Sequence, residues 1–238
     1  MSEIMLSIDS LTVKYGDMTA VDNVSMKVRE GELVSVLGPN SSGKTTLMNT
    51  IAGLEFPCGG GISLLGQSLK GLSSDKIVEL GVSLVPQGGR CFNRMSVFEN
   101  LMVGSYTKRA RRSAKGSLDR VYRLFPVLHE KRNQPAGSLS GGQRQMVAIG
   151  RALMSCPRLL LFDELSLGLA PVVIKDIYSA IKQISREENT TVVMVEQDTR
   201  RAMSMTDYTY IMLKGKVVLE GRSGELSDDA VRKAYFGS

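Results

Sequence analysis

Apolar and polar residues alternate through Ile4 to Tyr15 and again through Val24 to Val28, and the turn-like Gly16-Asp17 between them predicts a pair of antiparallel strands. Short apolar runs follow at Leu33 to Leu37, Ile62 to Leu65, Val82 to Val85, Leu159 to Phe162 and Thr191 to Val195. Such runs suit strands buried on both faces of a sheet. Elsewhere the apolar spacing becomes helical: Lys44 to Leu54, Asp75 to Leu80, Ser96 to Tyr106, Ser117 to Phe125, Arg144 to Met154 and Pro171 to Arg186. Strand and helix therefore alternate, which predicts an α/β fold with a mainly parallel core sheet. Pro57 to Gly61 reads as a Gly-rich turn. Ile211 to Leu213 and Val217 to Leu219, joined through Lys214-Gly215-Lys216, read as a closing hairpin, and the last residues as a short helix. From about Gly88 to Pro135 no strand interrupts the helical spacing. This part, with the helix after it, is expected to form a helical insert (about 88–156) within one domain spanning 1–238.

Composition adds bounds. Of 238 residues, 42 % are hydrophobic and 23 % charged, which is ordinary for a soluble globular protein. Cys58, Cys91 and Cys156 are odd in number, far apart and without metal-type spacing, so no disulfide framework is expected. The first residues lack a basic patch followed by an apolar segment, and no apolar stretch approaches the ~18 residues that span a bilayer. The chain is expected in the cytoplasm. Part of the formal net charge of +6 is concentrated in Lys108, Arg109, Arg111, Arg112 and Lys115, a run without an acid. It could touch nucleic acid or lipid headgroups, or be a solvated helix face or loop. Without aromatic interleaving it predicts no nucleic-acid partner.

The chemistry centres on Gly38-Pro39-Asn40-Ser41-Ser42-Gly43-Lys44-Thr45, which fits the phosphate-loop pattern G-x-x-x-x-G-K-[ST]. It lies between a predicted strand and a predicted helix, the context this motif requires. Backbone N–H groups there can curl around an anion at a helix N-terminus. Lys44 can reach outer phosphates, and the Thr45 hydroxyl can ligate Mg²⁺. Asp163-Glu164 ends a predicted strand; Asp163 suits a Mg²⁺ contact and Glu164 a general base, unless the pair is ordinary surface. Tyr15 could stack on a purine or simply pack at a strand end. Gln87 could reach metal and attacking water or simply end its strand. Leu139-Ser140-Gly141-Gly142-Gln143 opens a helix, which makes it either a second anion site or a plain N-cap.

Phosphate loop, Gln87, L-S-G-G-Q at 139–143 and L-L-L-F-D-E at 159–164 occur in the order of an ABC ATPase cassette, and the chain resembles that family along essentially its whole length. The resemblance implies a P-loop NTPase cassette with an antiparallel β subdomain and a helical insert, binding ATP and Mg²⁺. It implies adenine stacking by Tyr15, phosphate contacts from Gly38 to Thr46, metal contacts from Thr45, Gln87 and Asp163, and catalysis by Glu164 with Lys44. Ser140, Gly142 and Gln143 would contact the nucleotide of a second cassette, same or paralogous, in a head-to-tail dimer. Transmembrane permease subunits, and indirectly a periplasmic binding protein, would be the partners, with the chain peripheral on the inner face of the membrane. S-L-G-L-A-P at 166–171 and V-E-Q at 195–197 are similar to the smaller ATPase subunit of branched-chain amino acid importers, while V-P-Q at 85–87 also resembles urea and short-amide importers. A soluble ABC ATPase of a non-transport assembly system is the remaining alternative. Leu165, Ser41 and Ala170 stand where the family usually has proline, glycine and aspartate. Gln197 occupies the place of the family's switch histidine and is assigned its catalytic role; His129, the sole histidine, lies in the insert.

Overall fold

The computed structural model describes residues 3–236. A long hairpin, β1 (Ile4–Tyr15) and β2 (Met18–Arg29), pairs with β4 (Gly59–Leu64) and β5 (Gln67–Ser68) in an antiparallel sheet ordered β2-β1-β4-β5. Gly16 has φ 59° at the first position of the two-residue loop, the place glycine takes in a type II′ hairpin. The second sheet takes β3 (Leu33–Leu37), β6 (Val82–Val85), β7 (Leu159–Asp163), β8 (Thr191–Glu196), β9 (Tyr208–Leu213) and β10 (Lys216–Arg222) in the order β10-β9-β3-β8-β7-β6. All its neighbours are parallel except β10, which closes the edge antiparallel to β9.

Helices α1 (Lys44–Ile51) and α2 (Ser74–Leu80) precede β6. Then α3 (Val97–Val103), α4 (Lys108–Leu124), α5 (Pro126–Glu130) and α6 (Gly141–Leu153) fill the stretch before β7. Helix α7 (Pro171–Glu188) leads into β8, α8 (Thr199–Met203) follows it, and α9 (Asp228–Phe236) comes last. Successive strand side chains face opposite ways. Leu159 and Leu161 therefore pack with Leu47, Met48 and Ile51 of α1, while Leu160 and Phe162 pack with Val147 and Ile149 of α6 and Ile177 and Ile181 of α7. Each of these fully buried side chains stabilises the fold by roughly 1.5–3 kcal/mol relative to exposure. This two-sided burial explains why the central strands read as continuous apolar runs.

Local differences from the expected elements have local causes. Strand β2 begins at Met18 rather than Val24, because Met18 pairs with Tyr15 directly across the turn. Helix α1 ends at Ile51, and Gly59 to Gly61, expected as turn, join β4. Helix α4 starts at Lys108 rather than Ser117, capped by the Thr107 side chain, which accepts from the Ala110 N–H. The basic run thus lies on α4, with Lys108, Arg111, Arg112 and Lys115 exposed. Strand β5 and helices α5 and α8 are too short for periodicity to announce them.

Candidate functional site

Strands β3, β6, β7 and β8 run parallel and end on one edge, where Leu37 pairs with Glu196, Val85 with Phe162 and Asp163 with Val195. The segments leaving these strands meet there, the usual ligand position in such sheets. Close backbone approach shapes the loop after β3. A Cβ on Gly38 (φ 152°) would stand 2.1 Å from the Met212 carbonyl oxygen, and one on Gly43 (φ 98°) 2.3 Å from that of Ala20. Ser41 has φ 64°, a left-handed conformation that costs a side-chain-bearing residue roughly 1–2 kcal/mol.

Among the described residues, no acceptor meets the N–H groups of Gly43, Lys44, Thr45 and Thr46 at the start of α1, and the buried Ser42 hydroxyl has no partner. Lys44, 4 % exposed, folds its ammonium back to donate to the carbonyls of Gly38 and Pro39, each at 2.8 Å. Burial holds this ammonium below the usual lysine range, opposed by the charges of Glu164 and Asp163. Thr45 Oγ1 donates to Asp163 Oδ1 at 3.1 Å. Burial raises the Asp163 carboxyl above the usual range; the Thr45 hydrogen bond acts against this. Gln87 Nε2 donates to Glu164 Oε2 at 2.9 Å. Glu164 itself is left-handed, with φ 48°, and its N–H donates to the Val195 carbonyl at 3.1 Å.

A cleft of about 570 Å³ is lined by Tyr15, the loop residues Asn40, Ser41, Ser42, Gly43, Lys44, Thr45 and Thr46, and by Gln87, Glu164 and Gln197. Gly38 and Pro39 begin that loop, and Asp163 is held under Thr45. Met18, Thr19, Ala20 and Leu167 also line the cleft. No sequence signal marked Met18, Thr19 and Ala20, which enter because the hairpin folds over the loop, whereas Leu167 comes from the segment after β7. A larger cleft of about 770 Å³, beside Lys27, Tyr208 and Tyr210, contains none of the predicted residues, so volume alone does not locate the chemistry.

Ser140, Gly142 and Gln143 lie outside this cleft. They begin α6 in a reciprocal cap, the Ser140 hydroxyl accepting from the Gln143 N–H and Gln143 Oε1 from the Ser140 N–H. Ser140 is exposed, and a Cβ on Gly142 would meet Val173 Cγ1 of α7 at 2.5 Å. His129 packs its ring edge-on against Tyr122, 4.9 Å between centroids, and takes no part in the cleft.

Free N–H groups, an orphaned hydroxyl and a buried ammonium fit a polyphosphate. The Thr45 hydroxyl, Asp163 carboxylate and Gln87 amide oxygen fit an oxygen-seeking divalent ion that keeps waters and shares phosphate oxygens.

Residues 21–166 match the family described as ABC transporter. The high-affinity branched-chain amino acid transport ATP-binding protein BraG of Pseudomonas aeruginosa is 42 % identical over 234 residues, which cover 98 % of this chain and 100 % of that protein. The high-affinity branched-chain amino acid transport ATP-binding protein LivG of Escherichia coli is 32 % identical over 253 residues, covering 100 % of this chain and 99 % of its own. A solved ATP-binding cassette of an ABC transporter in its ADP conformation is 27 % identical, with TM-score 0.86 and 100 % of both chains covered. Another, described as dimeric and bound to ADP and Pi, is 27 % identical with TM-score 0.77, covering 92 % of this chain and 99 % of its own.

Proposed function

The chain belongs to the ABC transporter family as an ATP-binding subunit that hydrolyses ATP, and from that premise we propose that it powers the import of branched-chain amino acids. The observation that carries this reading is the 42 % identity to BraG across essentially the full length of both chains. The whole chain, 1–238, acts as one cassette with residues 88–156 as its helical insert, peripheral on the inner face of the membrane. Its partners are transmembrane permease subunits and a second cassette, with a periplasmic binding protein delivering the substrate.

In the proposed mechanism, the loop N–H groups and Lys44 hold the phosphates of ATP, and Tyr15 stacks on its base. Lys44 leaves the carbonyls of Gly38 and Pro39 to face the outer phosphates, where a point charge in a water-poor site favours the negative transition state. Mg²⁺, held by Thr45, Asp163 and Gln87, would neutralise charge on the phosphate oxygens. Glu164 takes the proton of the attacking water as its oxygen bonds to the γ-phosphorus and the bond to the ADP oxygen breaks. The Gln197 amide donates to a γ-phosphate oxygen or orients that water. Ser140, Gly142 and Gln143 serve the nucleotide of the opposite cassette. Their place at the α6 N-terminus, outside the chain's own cleft and with Ser140 exposed, supports this assignment.

The test is ATP-driven uptake into vesicles containing this chain with its permease subunits and binding protein, offered radiolabelled leucine, isoleucine and valine. Saturable uptake that stops without ATP is expected. Uptake of urea or short amides instead would overturn the substrate assignment, and full turnover without any permease association would favour a soluble assembly ATPase.

A further inference from the structure

A carboxylate that the mechanism above leaves unused is sealed in at the same sheet edge. Glu196 ends β8 with 1 % of its surface exposed, next to Gln197 in sequence and paired with Leu37 of β3. Its Oε2 accepts from the Ser166 hydroxyl at 2.7 Å and its Oε1 from the Ser166 N–H at 3.3 Å. The buried Tyr178 hydroxyl of α7 favours the charged form of the same carboxylate, without a hydrogen bond of ordinary geometry. A glutamate is almost never fully buried unless it is paired. An apolar side chain of similar size would often be as stable or more so. Stability therefore gives no reason for an acid here, and its partner suggests another one.

Ser166 lies on the strap that carries Glu164 away from β7, and each residue of that strap is tied down. The Glu164 N–H is held by Val195. Leu165 is 1 % exposed within the core on the α6 and α7 side. Ser166 is held by Glu196. Glu164 takes a left-handed backbone, and such strain persists only where surrounding structure over-determines it. Two of the three ties come from consecutive residues of β8, and the residue after them is Gln197, which lines the cleft with Glu164.

We propose that Glu196 is a positioning residue: through Ser166 it clamps the strap so that the Glu164 carboxylate and the Gln197 amide keep a fixed spacing across the cleft. The inference rests on Glu164 being the general base. Glu196 does not line the cleft; it acts through Ser166.

The test compares Glu196→Leu, Glu196→Gln, Ser166→Ala and Ser166→Ala/Glu196→Leu in the full-length chain, with steady-state ATP hydrolysis, equilibrium ATP binding and thermal melting read for each. Loosening the base by about 1 Å can cost up to about 100-fold. Glu196→Leu is therefore expected to lower kcat by a factor between about 10 and 100 while the ATP affinity and the KM for ATP hold. Glu196→Gln keeps an acceptor for the Ser166 hydroxyl and should recover part of the loss. The double variant should be no slower than Glu196→Leu, because both changes break one clamp. Unchanged kcat in Glu196→Leu, or losses that multiply in the double variant, would overturn the proposal. If Glu196→Leu does not fold, Glu196→Gln and Ser166→Ala decide, and parental kcat in both overturns it. Glu164→Gln in the same series separates the two assignments: if it is inactive while the Glu196 and Ser166 variants are normal, only the clamp fails. If Glu164→Gln turns over normally, the base and the clamp both fall.

Discussion

Gln197 and Glu196 are neighbours in the chain, yet they face opposite environments. Gln197 lines the nucleotide cleft and is partly exposed. An amide cannot gain a proton between about pH 5 and 8, whereas an imidazole does. Gln197→Ala should slow hydrolysis with little change in ATP affinity, and Gln197→His should restore turnover with a new titration near neutrality. His129→Ala, remote from the cleft, should change neither rate nor pH profile. Measuring kcat against pH for the three variants checks this; an essential His129 with a dispensable Gln197 would refute the placement. Glu196 has a different pH signature. Burial raises its carboxyl above the usual glutamate range, outweighing the hydrogen bonds from Ser166. The folded state therefore binds this proton more tightly than the unfolded chain. The resulting stability is present below the unfolded value, near 4.3, and is lost as pH rises through the folded one. Glutamine has no proton to lose, so the melting temperature of Glu196→Gln relative to the parent should rise across that window. A pH series of thermal melts showing the reverse trend would contradict the assigned burial effect.

Helix α6 links the candidate dimer contacts to the core. Its N-terminus carries the exposed Ser140 and the half-buried Gln143 in their reciprocal cap, while Val147, Ile149 and Leu153 are buried. On this buried side α3 comes very close: a Cβ on Gly104 would sit 2.0 Å from the Arg151 carbonyl oxygen and 2.9 Å from Met154 Cβ. A backbone oxygen cannot move aside as a flexible side chain can. Gly104→Ala should therefore destabilise the fold by about 1–3 kcal/mol, the usual penalty of overpacking. At roughly 2–4 °C per kcal/mol for a chain of this size, a thermal melt can resolve the change, and an unshifted midpoint would show that α3 is free to move. Helix α4 shows where spacing was only partly legible. Its inward residues Ala110, Ser117 and Val121 follow a helical period, but the first turns are dominated by cations, which left the start hidden until the Thr107 cap was seen.

On the proposed function, the assembled form would follow from how the N-termini of α1 and α6 are separated. The phosphate loop opens into the chain's own cleft, while the α6 N-terminus lies outside it. If Ser140, Gly142 and Gln143 complete the opposite site, ATP should join two cassettes, most persistently in Glu164→Gln, where hydrolysis cannot reopen them. ADP should not. Sedimentation with saturating ATP and Mg²⁺, of this chain alone and with a partner cassette, checks the expectation; a monomer throughout would count against a shared site.

The phosphate loop, the apolar strands on either side of the helical stretch and the acid pair at the end of β7 were legible in the amino-acid order. Each depends on residues close together in the chain, where backbone conformation, alternation and motif spacing act within a few positions. The α/β class followed from the same alternation. Pairings across the sheet were not legible. Thr45 and Asp163 are separated by 118 positions and Gln87 and Glu164 by 77, and they meet only because β3, β8, β7 and β6 lie side by side in register. That order is chosen by which faces bury together over two cores, a sum of many weak contacts that no local window contains. The clamp between Ser166 and Glu196 shows the same division. In sequence Glu196 is one more polar residue at a strand end, and only packing from β3 and α7 removes it from water and turns it toward Ser166.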